Sequence, residues 1–435
     1  MSQPRPSNRP NYPLIVGMGL VAFSTYSCMY AYRKSFSVGV FEGINYLGLD
    51  FKSLLIIAQA IGYMASKFIG IKFISEMKKD NRPAMILILI GIAELALILF
   101  AIIPPPYNFW CLFLNGLPLG MIWGIVFSYL EGRSTTEVLG AILATSFILA
   151  SNICKSVGQW LIVDLGVSEF NMPYIVGLIF SLPLVVSVYL LSKMPEPTPE
   201  DIAQRMERKP MNAASRRSNL RRIAFLMLLI VFSYILLTVY RDLRSNYASD
   251  VWLALGFEQV PSIYLSTSLP STLIVLLVIS LIFLIRNNVK ALFSIQLIIL
   301  SGYLVIGLST LALELGLIPG ATWVIMVMTG VYLAYIPFNC FIFERIIPVF
   351  KLSGANIGFL MYIADAFGYL GSVGTLLYKN FVTPEVNWFE FIRSSSYFVS
   401  LIGIATTVAI IAYQRYQIRK LNSSAEVPEP QLNLA

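Results

Sequence analysis

The sequence predicts an all-α integral membrane protein, with twelve transmembrane helices in two pseudo-symmetric six-helix bundles. Three observations carry this. Of the 435 residues, 57% are hydrophobic and 12% charged, about half the ~25% charged share of a soluble globular protein. Apolar stretches recur roughly every 36 residues, each long enough to cross the ~30 Å hydrocarbon core of a bilayer. A proline-rich, charged segment, MPEPTPEDIAQRMERKPMNAASRRSNLRR, divides the chain near its middle.

Apolar runs bounded by Pro, Gly, Asn and charged residues place spans 1 to 6 at 13–40, 50–75, 83–103, 107–131, 136–163 and 171–192. Spans 7 to 12 fall at 220–247, 262–286, 289–314, 319–344, 354–379 and 390–416. Span 1 follows the polar, basic SQPRPSNRPN, and it lacks the small-residue cleavage site of a removable signal peptide. Several spans exceed the ~20 residues needed to cross, which predicts tilt or extension into the aqueous edges. The chain then divides into an N-terminal bundle (1–193), a cytoplasmic linker (194–219), a C-terminal bundle (220–417) and a cytoplasmic tail (418–435).

Charge sets the orientation. The loops after even-numbered spans carry Lys78, Lys79, Arg82, Arg133, Arg205, Arg208, Lys209, Arg216, Arg217, Arg286, Lys290, Arg345 and Lys351, whereas PPPYN, DLGVSEFN and ELGLIPG after spans 3, 5 and 9 carry no Lys or Arg. Cytoplasmic loops are enriched in Lys and Arg, so both termini are expected in the cytoplasm of a multi-pass plasma-membrane protein, most simply a bacterial inner-membrane one. The net charge of +8 is therefore read as topology, not as nucleic-acid binding. Cys28, Cys111, Cys154 and Cys340 are scattered through apolar stretches and the chain has no histidine; this pattern indicates neither a metal site nor a disulfide framework. No cofactor is expected, and the protein is read as a monomer in the bilayer.

The halves look like weak repeats. Spans 5 and 11 both contain Ser-Val-Gly (Ser156–Gly158, Ser372–Gly374), and spans 4 and 10 end in an acidic then a basic residue (Glu131 and Arg133; Glu344 and Arg345). Six-plus-six chains with parallel repeats are the architecture of the major facilitator transporters, whose substrate site lies near the midplane between the halves.

A charge at the centre of a span costs ~2.5–3.5 kcal/mol on translocon scales, so intramembrane ions are the first functional candidates. Helical spacing puts Tyr26, Tyr30, Arg33 and Ser37 on one face of span 1; Gln59, Tyr63 and Lys67 on span 2; Asn152, Lys155 and Gln159 on span 5. Span 7 offers Tyr240 and Arg241, with Arg244 one turn further. Asp365, with Tyr362 and Tyr369 on its face of span 11, is the one counter-charge this reading finds, and either a salt bridge to a lysine or proton coupling would use it. One carboxylate does not balance four cations, so the missing charge is read as an anionic substrate held by arginine forks. Snorkelling to the interface is the competing reading for Arg33 and Arg241. Lys34 lies ~100° round the helix from Arg33 and is assigned a structural role. Tyr332, Tyr335 and Asn339 on span 10, and Ser262, Ser266 and Thr267 in span 8, read as packing faces or as hydrogen-bonding ones. GYLGSVG (Gly368–Gly374) reads as a close helix contact.

These residues resemble the organophosphate:phosphate antiporter branch of the major facilitator superfamily. The similar segments are Tyr32-Arg33-Lys34-Ser35-Phe36, Tyr63-Met64-Ala65-Ser66-Lys67-Phe68-Ile69 and Phe367-Gly368-Tyr369-Leu370-Gly371. The resemblance implies phosphate bound by one arginine from span 1 and one from span 7, matching Arg33 and either Arg241 or Arg244. Lys155 stands where that branch has a histidine. The loop after span 2, IKFISEMKKDNR, departs from the superfamily pattern, with Glu76 and Lys78 as imperfect stand-ins.

The sequence therefore predicts a secondary transporter of phosphate or an organophosphate, working by alternating access and not as an enzyme. Arg33 and Arg241 clamp the anion, Lys67 and Lys155 add positive potential, and Tyr30, Tyr63 and Tyr335 orient it. Asp365, Glu131 and Arg133 are the coupling or gating candidates. Antiport against phosphate needs no titrating group; proton symport would need Asp365 or Glu131 to change protonation. A transporter-like anion sensor that moves nothing is the alternative function.

Overall fold

The computed structural model describes residues 12–46, 48–76, 79–131, 133, 135–197, 213–257, 260–352, 357–382 and 387–425. Among the described residues, twelve helices are long and apolar enough to cross a bilayer: Pro13–Val38, Phe51–Gly70, Arg82–Ile102, Phe109–Leu130, Val138–Val163, Met172–Ser192, Arg221–Asn246, Ile263–Leu284, Asn288–Glu314, Gly320–Cys340, Leu360–Lys379 and Trp388–Ser423. They are spans 1 to 12 in order. The protein is a multi-pass, all-α membrane protein, as its composition requires. Two spans overrun the predicted ends. The helix carrying span 7 runs Ala213–Asn246 and that carrying span 12 runs Trp388–Ala425, because Arg, Lys, Gln and Ala sustain a helix where they end a hydrophobic run. Most of the predicted linker, residues 198–212, lies outside the described residues.

Several spans are interrupted. Span 4 comprises Phe109–Leu119 and Ile122–Leu130, with Pro118 inside the first piece; proline removes a ladder N–H and breaks the run. Span 5 breaks at Thr145, between Thr136–Ala144 and Ser146–Val163. The regular helix of span 1 stops at Lys34 and continues as a 3-10 turn, Ser35–Val38. A two-residue antiparallel ladder, β1 (Asn45–Tyr46) with β2 (Leu49–Asp50), caps the connection to span 2.

Close packing fixes the interior. Spans 2 and 4 touch through Gly62 and Gly116, where a Cβ would fall 2.2 Å from the Phe113 carbonyl oxygen and 2.4 Å from that of Gln59. Gly368 meets span 7 in the same way, its Cβ position lying 2.8 Å from Thr238 Oγ1, so GYLGSVG is a close helix contact. Between the halves, span 2 packs on span 11 and span 5 on span 8. These cross-half contacts enclose the polar interior. All four cysteines are buried thiols outside any disulfide, and no group of His, Cys, Asp or Glu among the described residues could hold a metal.

Candidate functional site

Arg33 owes its position to the interruption of span 1. The last carbonyls of a helix have no partner within it. Here Gln59 Nε2 donates to the Arg33 carbonyl (2.9 Å), and Asn115 Nδ2 donates to the carbonyls of Tyr32 (3.0 Å) and Ala93 (3.0 Å). Gln59 also donates to Asn115 Oδ1 at 2.8 Å, joining spans 1 to 4 into one anchor. Gln59, expected on the site's face, instead holds the backbone, and Asn115 is a positioning residue that sequence reasoning missed.

Anchored this way, Arg33 meets Arg241 of the other half at one oxygen. Arg33 Nη2 donates to the Tyr369 hydroxyl at 3.4 Å and Arg241 Nη2 donates to the same hydroxyl at 3.2 Å. Each guanidinium also lies on a tyrosine, Arg33 3.6 Å from the Tyr63 ring centroid and Arg241 4.2 Å from that of Tyr335. Such contacts are worth ~2 kcal/mol when desolvated. The arginines are 6% and 7% exposed, so they face the bundle interior and do not snorkel.

Two carboxylates answer part of the charge. Asp365 Oδ2 pairs with Lys67 Nζ at 2.6 Å and its Oδ1 accepts from the Tyr234 hydroxyl at 2.9 Å. That pair ties span 2 to span 11, and therefore half to half. Tyr234 also lies 2.7 Å from the Tyr335 hydroxyl and 3.2 Å from Asn339 Oδ1. The second carboxylate is Asp242, whose Oδ1 accepts from Arg241 Nη2 (2.8 Å) and Nε (3.2 Å), and whose Oδ2 accepts from Ser372 (3.1 Å). Asp365 is therefore not the single intramembrane counter-charge. Asp242 follows Arg241 directly in a predicted span and is legible there. Glu94 in span 3 is a further carboxylate that the sequence reading passes over; it lies against Gly177 of span 6, and neither carboxylate oxygen has a hydrogen-bond partner.

The remaining candidates divide. Tyr30 lines the small cavity between Arg33 and Arg241, which is also bounded by Lys34, Phe147, Ser151, Asp242, Ser245 and Tyr332. Lys34, assigned a structural role, is buried on this cavity and donates to Asn246 Oδ1 at 2.6 Å. Lys155 does not join the arginines; it donates to the Ser245 carbonyl and lies 3.3 Å from Ser245 Oγ. Lys52 reaches Asp250 (2.9 Å) and Ser249 (2.7 Å), so spans 1, 2 and 5 are all stitched to the end of span 7 and the helix after it. Tyr332 donates to the Phe147 carbonyl at 2.9 Å, joining spans 10 and 5. Arg244 faces a different cavity from Arg241. Glu131 and Arg133, at the end of span 4, do not line the arginine cavity, and Arg133 donates to the Pro195 carbonyl. Ser266 and Thr267 bond the Ile263 carbonyl of their own helix. Lys78 lies outside the described residues.

The buried basic side chains among the described residues are those of Arg33, Lys34, Lys52, Lys67, Lys155, Arg241 and Arg244, against the carboxyl groups of Asp242 and Asp365. Partly exposed Asp250 answers Lys52, which still leaves cations in excess. Two like charges 4 Å apart repel by ~4 kcal/mol even at an effective dielectric of 20.

Among curated proteins, no sequence matches the chain. Solved structures do match over nearly its whole length. The nucleoside transporter NupG is 13% identical with a TM-score of 0.56, covering 92% of this chain and 98% of that one. The xylose transporter XylE from E. coli, in a partially occluded inward-open conformation, is 13% identical with a TM-score of 0.60, covering 92% and 98%. These likenesses show the major facilitator fold; they do not single out the organophosphate branch. The family model that matches covers residues 35–417. The chain accordingly belongs to DUF5690, a family of unknown function.

Proposed function

We propose that this protein is a secondary transporter of phosphate or a phosphate ester, moving it by alternating access of the two six-helix halves. The observation that carries the reading is the pair Arg33 and Arg241: guanidiniums from opposite halves, buried, donating to a single shared oxygen, inside an interior with more cations than carboxylates. A phosphate oxygen offered in place of the Tyr369 hydroxyl would take both donors and supply the charge the site lacks. The cargoes named for the two solved transporters, a nucleoside and xylose, have no anionic group. The buried cations are the reason to read an anion here instead.

The halves meet through ties that rocking would have to break and remake: Lys67 to Asp365, Lys34 to Asn246, Lys155 to Ser245 and Lys52 to Asp250. Antiport against phosphate is favoured over proton symport. Both oxygens of Asp365 are engaged, by Lys67 and Tyr234, which uses the carboxylate as a fixed counter-charge between the halves. Orientation with both termini in the cytoplasm of a bacterial inner membrane belongs to the same proposal and rests on the Lys and Arg content of the loops. The test is exchange by reconstituted protein: vesicles loaded with phosphate should take up labelled phosphate and phosphate esters. Binding without exchange would convert the reading to that of an anion sensor, and neither binding nor exchange would reject the anion.

A further inference from the structure

A second, small cavity lies beside the arginine cavity. Its wall holds Arg244 and three large aromatic side chains, Trp252, Tyr264 and Trp323. The two cavities are built on adjacent positions of the same three spans. Span 5 gives Ser151 to one and Asn152 to the other; span 7 gives Arg241 and then Arg244; span 10 gives Tyr332 and then, one turn away, Met328. Arg244 is more than nine-tenths buried, and its Nε has no hydrogen-bond partner. Lys155 Nζ lies 5.9 Å from the centroid of the Tyr264 ring, which brings a second basic side chain close to the wall.

On the anion reading above, on which this inference rests, we infer that the cavity beside Arg244 is the organic subsite of the transporter. It takes the flat, ring-bearing part of a phosphate monoester whose phosphate is held by Arg33 and Arg241. The geometry fits a directly attached ring, because Arg241 and Arg244 are separated by about 4.5 Å along the helix axis. The chemistry fits too. Aromatic walls favour offset or edge contacts with a ring, and a buried guanidinium stacks on a π-face where it has no carboxylate. A short aliphatic ester would make none of these ring contacts.

The experiment is competition against labelled inorganic phosphate on the purified full-length protein, with methyl phosphate and phenyl phosphate as probes. Phenyl phosphate should displace the label at a concentration at least tenfold lower than methyl phosphate. Val324→Phe, which fills the cavity wall, should bring that ratio near one, and Trp252→Ala, which removes an aromatic wall, should do the same by a different route should the first variant fail to fold. A ratio near one in the unmodified protein, or a tenfold ratio that survives in either folded variant, would overturn the subsite while leaving the phosphate clamp standing. Failure of all three anions to bind would overturn the clamp, and the subsite with it.

Discussion

Tyr369 allows the sharpest separation between a ligand and a placeholder. Its hydroxyl accepts from Arg33 at 3.4 Å and from Arg241 at 3.2 Å, both long for an N–H donor, so each bond belongs at the lower end of the ~1.5–3 kcal/mol expected for charged partners. Tyr369→Phe keeps the ring that packs 4.7 Å from Tyr63 and removes only the acceptor. We predict that the variant without anion is less stable by about 2–3 kcal/mol. If the anion takes the hydroxyl's place, the same energy no longer opposes binding, and phosphate should bind about 30- to 150-fold more tightly. Thermal unfolding in detergent across a phosphate titration reads both effects, since ligand stabilisation grows with tighter binding. A lower starting midpoint with a larger rise per unit of phosphate is the expected result. Weaker phosphate binding would refute the reasoning, because it would make the hydroxyl a ligand of the anion.

Three further outcomes follow from the same geometry. Asp365→Asn leaves Lys67 buried without its counter-charge and should cost ~3–5 kcal/mol of stability; adding Lys67→Met should restore most of it, and a double variant no more stable than the single one would show that the pair is not coupled. Asn115→Leu removes the side-chain donor to the carbonyls of Tyr32 and Ala93 and one acceptor of the Gln59 amide, costing ~1–3 kcal/mol and weakening phosphate binding through Arg33; unchanged binding in a destabilised variant would limit Asn115 to folding. Gly368→Ala places a methyl 2.8 Å from Thr238 Oγ1 and 2.9 Å from Tyr234, an overpacking cost of ~1–3 kcal/mol, and a variant of normal thermal stability would refute that close contact.

Hydropathy alone makes the twelve spans legible, because in a bilayer the length of an apolar run is the structural signal. The ends are less so. Arg216 and Arg217 read as linker, yet they belong to the helix that becomes span 7, since charge ends a hydrophobic run without ending a helix. Arg33, Lys67, Arg241 and Asp365 can be found because ions in a membrane are costly and stand out. What cannot be read is partnership. Helical periodicity gives one helix's face but not the neighbour across from it, so Lys155 reads with the arginines and lies instead on Ser245, and Gln59 reads as part of the site and lies on a carbonyl. Asp242 is legible as a carboxylate within span 7, but its pairing with the arginine before it is not. Asn115 has no signal at all, being a lone amide whose role exists only because span 1 breaks at Lys34.

The central claim is that Arg33 and Arg241 together hold the transported anion, and labelled-phosphate exchange by Arg33→Lys and Arg241→Lys in phosphate-loaded vesicles tests it most directly. Lysine keeps the charge but loses the planar fork. Each substitution should lower exchange at least tenfold, equivalent to about 1.4 kcal/mol of lost anion recognition, in protein that still folds and reconstitutes. Near-normal exchange by both variants would contradict the account.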